Sequence, residues 1–365
     1  MGSMGCRCAW RVSCRHWCCI LRHKAPGKRK KSDRENKEAL KRLQPDHQHV
    51  QVSVVLSALV YESSEEKRRK AEAIVQKMVY DKRITVIQAY KQILYCRVGD
   101  TLYVVSRGTV LSCLSDLTAD LTPGFQMDET GSYEACRGFS NSVKQDRLQY
   151  DEIFDDMVRR LQENPNLKLV FTGHSLGGAK SQLLIDKFRR KFGEARVTVY
   201  TFGSPFVGRK DMQQYYNENG ISRRIFNIVN EKDPIPQAHR CLLAGLNAGK
   251  VVWETSEMLS TSSNVFVQFL LIPLSFIHAN VAWNDVASVG NVIVLSSACD
   301  ILHVGRWDSK DWKDKLKLGF SLNSHVIATY KRTVSGSFFN KPPEKSKAAC
   351  HTWAKKQQQR HLFRS

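Results

Sequence analysis

The sequence lacks the marks of several protein classes. No uninterrupted apolar stretch opens it, because arginines at 7, 11, 15 and 22 break every such run, so there is no core of a secretory signal. Paired cysteine spacing is missing as well. Of eleven cysteines, five crowd the first nineteen residues and six are scattered. That odd, scattered set matches neither a disulfide framework nor a standard zinc spacing, and it predicts a reducing compartment with no metal site. No internal repeat is visible, which excludes solenoids and propellers. The most apolar stretch, NVFVQFLLIPLSFIHANVAW at 264–283, is broken by Gln268, Pro273 and His278. Those breaks count against a membrane span and favour a buried or membrane-facing insertion.

Negative charge is also scarce. The 365 residues hold 56 Lys and Arg against 35 Asp and Glu, a net charge of +21. Residues 1–44 carry +10 and residues 331–365 carry +8, so the middle of the chain is close to neutral. A nucleic-acid binder would place that charge on a folded face beside a recognition motif, and none is found. Basic tails point instead to solvated disorder or to an anionic membrane surface. Lys28-Arg29-Lys30-Lys31 beside Cys6, Cys8, Cys14, Cys18 and Cys19 offers the two signals that stable anchoring by acylation needs. Gly2 is a poor myristoylation match, because Cys6 stands where Ser or Thr is wanted. The expectation is a cytoplasmic chain, peripheral on the cytosolic face of a membrane.

What is present centres on residues 167–184, LKLVFTGHSLGGAKSQLL. Leu167, Leu169, Val170 and Phe171 form a short apolar run after the turn signal Asn164-Pro165-Asn166, and read as a buried strand. Ala179, Leu183 and Leu184 recur at helical spacing, so a helix begins near Leu176. Between them lies Gly173-His174-Ser175-Leu176-Gly177. A serine on so sharp a strand-to-helix turn is strained, and glycines two before and two after let the backbones approach. The turn lifts the hydroxyl clear of the sheet, beside unpaired amides that stabilise negative charge. This is the pattern of a nucleophile elbow.

A serine hydroxyl needs an imidazole to take its proton and a carboxylate to orient that imidazole. Downstream, Asp233 lies just past the apolar strand IFNIVN (225–230), in a loop stiffened by Pro234 and Pro236. Asp211 is the alternative acid, although its setting reads as a helix start. His239, His278, His303 and His325 all follow; spacing favours His303 and His325 and does not separate them. The amide of Leu176 is one oxyanion donor, and the loop Ser106-Arg107-Gly108-Thr109 offers the other at Thr109. Other elements expected are a helix over 50–79, strands at 86–95 and 101–106 with a hairpin turn at Gly99-Asp100, an amphipathic helix over 147–163, and a strand at 197–203. Alternating strands and helices imply an α/β class with a mostly parallel sheet.

These motifs, in order, resemble the class 3 lipase family. VVSRGT (104–109), CRGFSNSV (136–143), TGHSLGGA (172–179), TFGSPFVG (201–208), IVNEKDPIP (228–236), AGKVVW (248–253) and His325 with Tyr330 carry the likeness, over roughly residues 50–332. Ser106 replaces the family's usual aromatic. The resemblance implies an α/β-hydrolase fold with Ser175 as nucleophile, Asp233 as acid and His325 as base. It implies Thr109 and Leu176 as oxyanion donors, no cofactor, and a lipid ester substrate such as an acylglycerol. It also implies a lid after Thr109. A phospholipase or soluble esterase of the same fold is the nearest alternative, and a non-catalytic lipid-binding protein on this scaffold is a third. The expected organisation is a basic tail over 1–45, one hydrolase domain over 46–335 with an apolar insertion at about 255–295, and a basic tail over 336–365.

Overall fold

The computed structural model describes residues 35–36, 38–62, 64–78, 84–109, 125–192, 197–237, 286–305 and 322–339. An eight-stranded sheet forms its centre, in the order β1-β2-β3-β6-β7-β9-β11-β12. The strands are β1 (Ile84–Ala89), β2 (Ile93–Val98), β3 (Thr101–Ser106), β6 (Lys168–His174), β7 (Val197–Phe202), β9 (Ile225–Asn230), β11 (Asn291–Leu295) and β12 (Ile301–Gly305). The middle five, from β3 to β11, run parallel, and antiparallel β1, β2 and β12 finish the edges.

The inner strands are apolar on both faces, because helices cover both. Period-two alternation divides them. Leu102, Val104, Leu169 and Phe171 join a core shared with α4 (Arg147–Glu163) and α5 (Leu176–Phe192). Tyr103, Val105 and Val170 join the opposite core, shared with α1 (His47–Leu59) and α8 (Ile327–Phe339). Helix α4 buries Tyr150, Ile153, Met157 and Leu161, the three-and-four spacing of one face. Helix α1 is buried nearly all round, and Asp46 caps it by accepting from the His49 amide at 3.1 Å. A buried ion pair, Lys180 Nζ to Asp146 Oδ2 at 2.7 Å, ties α5 to the residue that immediately precedes α4.

Four very short strands make a second antiparallel sheet, ordered β10-β8-β5-β4: β4 (Phe125–Met127), β5 (Glu134–Cys136), β8 (Gly208–Arg209) and β10 (Val286–Ala287). Also present are α2 (Ser64–Met78), α3 (Arg137–Gln145), α6 (Lys210–Glu218) and α7 (Leu322–His325).

Two expected elements divide. The helix expected over 50–79 is two helices, α1 ending at Leu59 and α2 starting at Ser64, where the apolar run of the sequence gives way to Glu62-Ser63-Ser64 and serine favours a new start over continuation. The strand expected over 86–95 is two strands, because Tyr90-Lys91-Gln92 turns the chain and the Tyr90 amide bonds the Ile93 carbonyl at 2.8 Å. The Gly99-Asp100 hairpin joins β2 to β3 as expected, with Gly99 at φ 58°. The apolar stretch 264–283, the segment after Thr109 from 110 to 124, AGKVVW, His239, His278 and most of both tails lie outside the described residues. Among the described residues no helix is long and apolar enough to cross a membrane.

Candidate active site

Strand β6 ends at His174 and α5 begins at Leu176, so Ser175 alone makes the turn between them. Its φ is 57°, a left-handed conformation that costs a non-glycine residue about 1–3 kcal/mol. The surrounding backbone holds it there. The Ser175 amide bonds the Phe202 carbonyl on β7 at 3.0 Å, and its own carbonyl accepts from Gly178 at 2.9 Å. A Cβ on Gly173 would run into the Gly177 backbone, and a Cβ on Gly177 would run into the Ser106 carbonyl, so neither position has room for one. Ser175 is 2% exposed.

Parallel pairing brings the next part alongside. Ser106, the last residue of β3, pairs with Gly173 on β6, so the loop after β3 runs past the elbow. A Cβ at Gly108 would stand 3.2 Å from the Ser175 Cβ and 2.6 Å from the Tyr61 hydroxyl oxygen. Thr109, the next residue, is half-buried. The Ser106 hydroxyl, where the family pattern has an aromatic, bonds the Tyr150 hydroxyl at 2.8 Å. Leu176 opens α5, ahead of the helix's first internal bond.

Strand β9 delivers the acid. Asp233 follows it by three residues and is fully buried. Its Oδ1 accepts from the Ile235 amide at 2.9 Å, and its Oδ2 accepts from the Tyr330 hydroxyl at 2.6 Å. The His325 Nδ1 lies 2.8 Å from Oδ2 and 3.0 Å from Oδ1. A carboxylate only accepts, so Nδ1 carries the proton and Nε2 is left as the basic nitrogen. Tyr330 also accepts the Asn230 amide at 3.0 Å. Burial, reinforced by the Asp233 charge, pushes its hydroxyl well above the ordinary tyrosine range, so it stays a donor. Asn230 Nδ2 bonds the Ser324 carbonyl at 2.8 Å and anchors the turn before His325.

Gly203, just past β7, lies against this cluster with φ 60°. A Cβ there would sit 2.6 Å from Asp233 Oδ2, 2.9 Å from the Tyr330 hydroxyl and 3.0 Å from His325 Nδ1. Only glycine meets both demands.

His174 ties the parts together. Its Nε2 is 2.5 Å from the His325 carbonyl oxygen, an acceptor, so Nε2 holds the proton. Its Nδ1 then accepts from the Tyr61 hydroxyl at 3.0 Å. Burial, followed by the neighbouring His325, holds the His174 imidazole well below its usual range, in keeping with this neutral form. Tyr61, at the end of α1, carried no sequence signal, because its partner is 113 residues away.

The other candidates lie elsewhere. Asp211, in the first turn of α6, accepts the Glu134 amide at 2.7 Å and thereby joins α6 to β5. His303 is on edge strand β12, opposite Val294. Chain order left the two histidines tied, and the structure brings His325 to Asp233.

A mostly parallel sheet with helices on both faces, and a strained serine on a strand-to-helix turn, define an α/β-hydrolase. Residues 103–242 match the family model for lipases of class 3. The chain is 31% identical over 170 residues to a lipase of Rhizomucor miehei, covering 44% of each. It is 29% identical over 139 residues to the secreted mono- and diacylglycerol lipase A of Penicillium cyclopium, covering 38% of this chain and 43% of the relative. The matched stretch thus spans less than half of either curated relative. Among solved structures, the Rhizomucor miehei triacylglyceride lipase superposes with a TM-score of 0.51 at 17% identity, over 76% of this chain and 92% of that one, which shows the shared fold.

These relatives correct one expectation. The cytoplasmic placement does not stand, because the Penicillium relative is named as secreted. Scattered cysteines were a weak guide: Cys96 and Cys136 are buried in the described fold, where a thiol packs as a small apolar group whatever the compartment.

Proposed function

We propose that this chain is a serine hydrolase that cleaves the carboxylic esters of acylglycerols through an acyl-enzyme. The observation that carries the reading is the buried Asp233–His325–Tyr330 cluster, tied through the His174–His325 hydrogen bond to the residue before a serine held at φ 57°. In this mechanism Ser175 Oγ attacks the ester carbonyl carbon while His325 Nε2 takes its proton. The carbonyl oxygen becomes an oxyanion, held by the amides of Leu176 and Thr109 at the start of α5 and beside it. Collapse breaks the ester bond, and His325 returns the proton to the departing alcohol. Water, deprotonated by the same nitrogen, then attacks the acyl-serine; collapse releases the carboxylic acid, and His325 returns the proton to Ser175 Oγ. Asp233 holds Nδ1–H and stabilises the imidazolium. Its remaining lone pairs are filled by Tyr330 and the Ile235 amide, which fixes the carboxylate's orientation.

The acylglycerol class is supported by the names of the relatives, which include a mono- and diacylglycerol lipase and a triacylglyceride lipase. Attraction of the basic tails to an anionic lipid surface belongs to the same reading, as does a single hydrolase domain over 46–335. The expected acylation at Cys6, Cys8, Cys14, Cys18 and Cys19 presupposes the cytoplasmic side and is not part of it. The test is hydrolysis of a mono-oleoylglycerol and a dioleoylglycerol emulsion, of a phosphatidylcholine dispersion and of a short soluble ester, by wild type and Ser175→Ala. Acylglycerol turnover that is lost in Ser175→Ala supports the proposal. Turnover of phosphatidylcholine alone moves the substrate class, and no turnover of any ester by folded protein refutes the enzyme.

A further inference from the structure

A cavity lies far from Ser175. It has a volume of about 360 Å³ and opens at the amino ends of the central strands, beside Lys168 of β6, Thr198 of β7 and Phe226 of β9. Ser175 follows the carboxyl end of β6, about 20 Å away at the rise of an extended strand. The cavity therefore lies at the opposite end of the strands from the hydrolase site.

Its lining is unbalanced in charge. Lys168, Arg223 and Arg224 line it against one carboxylate, Asp46. That carboxylate is already engaged: Oδ1 caps α1 and Oδ2 faces the His49 ring at 3.6 Å. Arg224 Nε is buried and has no acceptor among the described residues. A buried donor on a permanently charged group, left without an acceptor, is costly in a folded protein. Tyr200 adds a second donor. Its oxygen accepts the Asp46 amide at 3.2 Å, which leaves its own proton for another acceptor, and the Arg224 charge reaches that hydroxyl. The Tyr200 and Phe226 rings stack at 5.3 Å and make one apolar wall.

We propose that this cavity is a binding site for a phosphate-class oxyanion, with Arg224 and Lys168 supplying charge and Tyr200 a hydroxyl donor. A guanidinium reads tetrahedral oxygens through directed N–H groups, so Arg224 is the selective element and Lys168 a point charge. The apolar wall accommodates a few carbons attached to the phosphate. Phosphate free in solution and a phosphate on a lipid present the same oxygens, and the experiment separates them.

The site makes no use of Ser175, so its test is independent of the proposed hydrolysis. Full-length protein is titrated calorimetrically with inorganic phosphate and with soluble dihexanoylphosphatidate, against chloride at matched ionic strength. Wild type, Arg224→Gln and Lys168→Gln are compared. The expected result is saturable phosphate binding that weakens about tenfold or more in Arg224→Gln and about threefold in Lys168→Gln, following the strength of charge-assisted hydrogen bonds. Dihexanoylphosphatidate binding at least about tenfold tighter than phosphate identifies a lipid headgroup as the source; equal affinity identifies free phosphate. Wild type that takes up neither ligand beyond the chloride control overturns the proposal, and so does undiminished binding by both variants. Should Arg224→Gln fail to fold, Lys168→Gln decides, since its side chain is exposed; unchanged binding there overturns the site.

Discussion

Replacing Gly203 by alanine inserts one methyl group into the centre of the acid–base cluster, and its consequences can be worked out from the geometry. The backbone at φ 60° carries a strain of about 1–2 kcal/mol once a Cβ is present. The new carbon lies within 3.0 Å of Asp233 Oδ2, the Tyr330 hydroxyl and His325 Nδ1, so at least one must move. Overpacking of this kind costs about 1–3 kcal/mol more. The sum, about 2–5 kcal/mol, is a large part of a domain's stability. Catalysis suffers separately. Displacing the carboxylate or imidazole by about 1 Å costs roughly a hundredfold, and loss of the orienting carboxylate costs up to about ten thousandfold. We therefore expect kcat/KM on a soluble ester to fall by about two to four orders of magnitude, mainly in kcat. Thermal unfolding followed by circular dichroism would show a lower Tm in the same variant. Activity within about threefold of wild type in Gly203→Ala would refute the reasoning, because it would mean that this cluster does not act in turnover.

Tyr330→Phe removes the donor to Asp233 and strands the Asn230 amide, so stability should fall by about 1–3 kcal/mol in urea unfolding and kcat by about tenfold or more. Tyr61→Phe leaves His174 Nδ1 without its donor and should lower kcat about tenfold with little change in KM, measured on a soluble ester. His303→Ala, on the edge strand, should retain activity within about threefold. His174 gives a pH prediction. Its folded pKa is held well below 6.5, so the unfolded chain binds the proton first as pH falls. Stability from this group is complete above pH 6.5 and declines below it by up to about 1.4 kcal/mol per pH unit, until the folded pKa is reached. His174→Gln should flatten that decline in unfolding experiments between pH 7 and 5.

Where one side chain period runs long enough, the sequence alone is a good guide to the fold. Helix α4 keeps Tyr150, Ile153, Met157 and Leu161 on one face over about three turns, and its span is as expected. Strands β3 and β9 are six-residue apolar runs with turn signals at their ends. The second sheet was invisible, because strands of two or three residues hold no period. The β1–β2 turn was missed because Tyr90-Lys91-Gln92 contains none of the residues that punctuate turns. The site divides along the same line. The elbow is local, with strand, glycines and helix inside eighteen residues, and so it was legible. The partner of Asp233 is set by how α7 meets the loop after β9, across 92 residues, and spacing could not decide it. The Tyr61–His174 bond depends on the end of α1 arriving beside β6, which is a property of packing alone.

The central claim is that Ser175 is a nucleophile activated by His325. The most direct test is covalent labelling of the folded chain by a fluorophosphonate, with the adduct located by mass spectrometry in wild type, Ser175→Ala, His303→Ala and His325→Ala. The account predicts one adduct, on Ser175, formed at full rate in His303→Ala and lost or slowed by at least about a hundredfold in His325→Ala. An adduct on another residue, or labelling that survives His325→Ala and fails in His303→Ala, would contradict it.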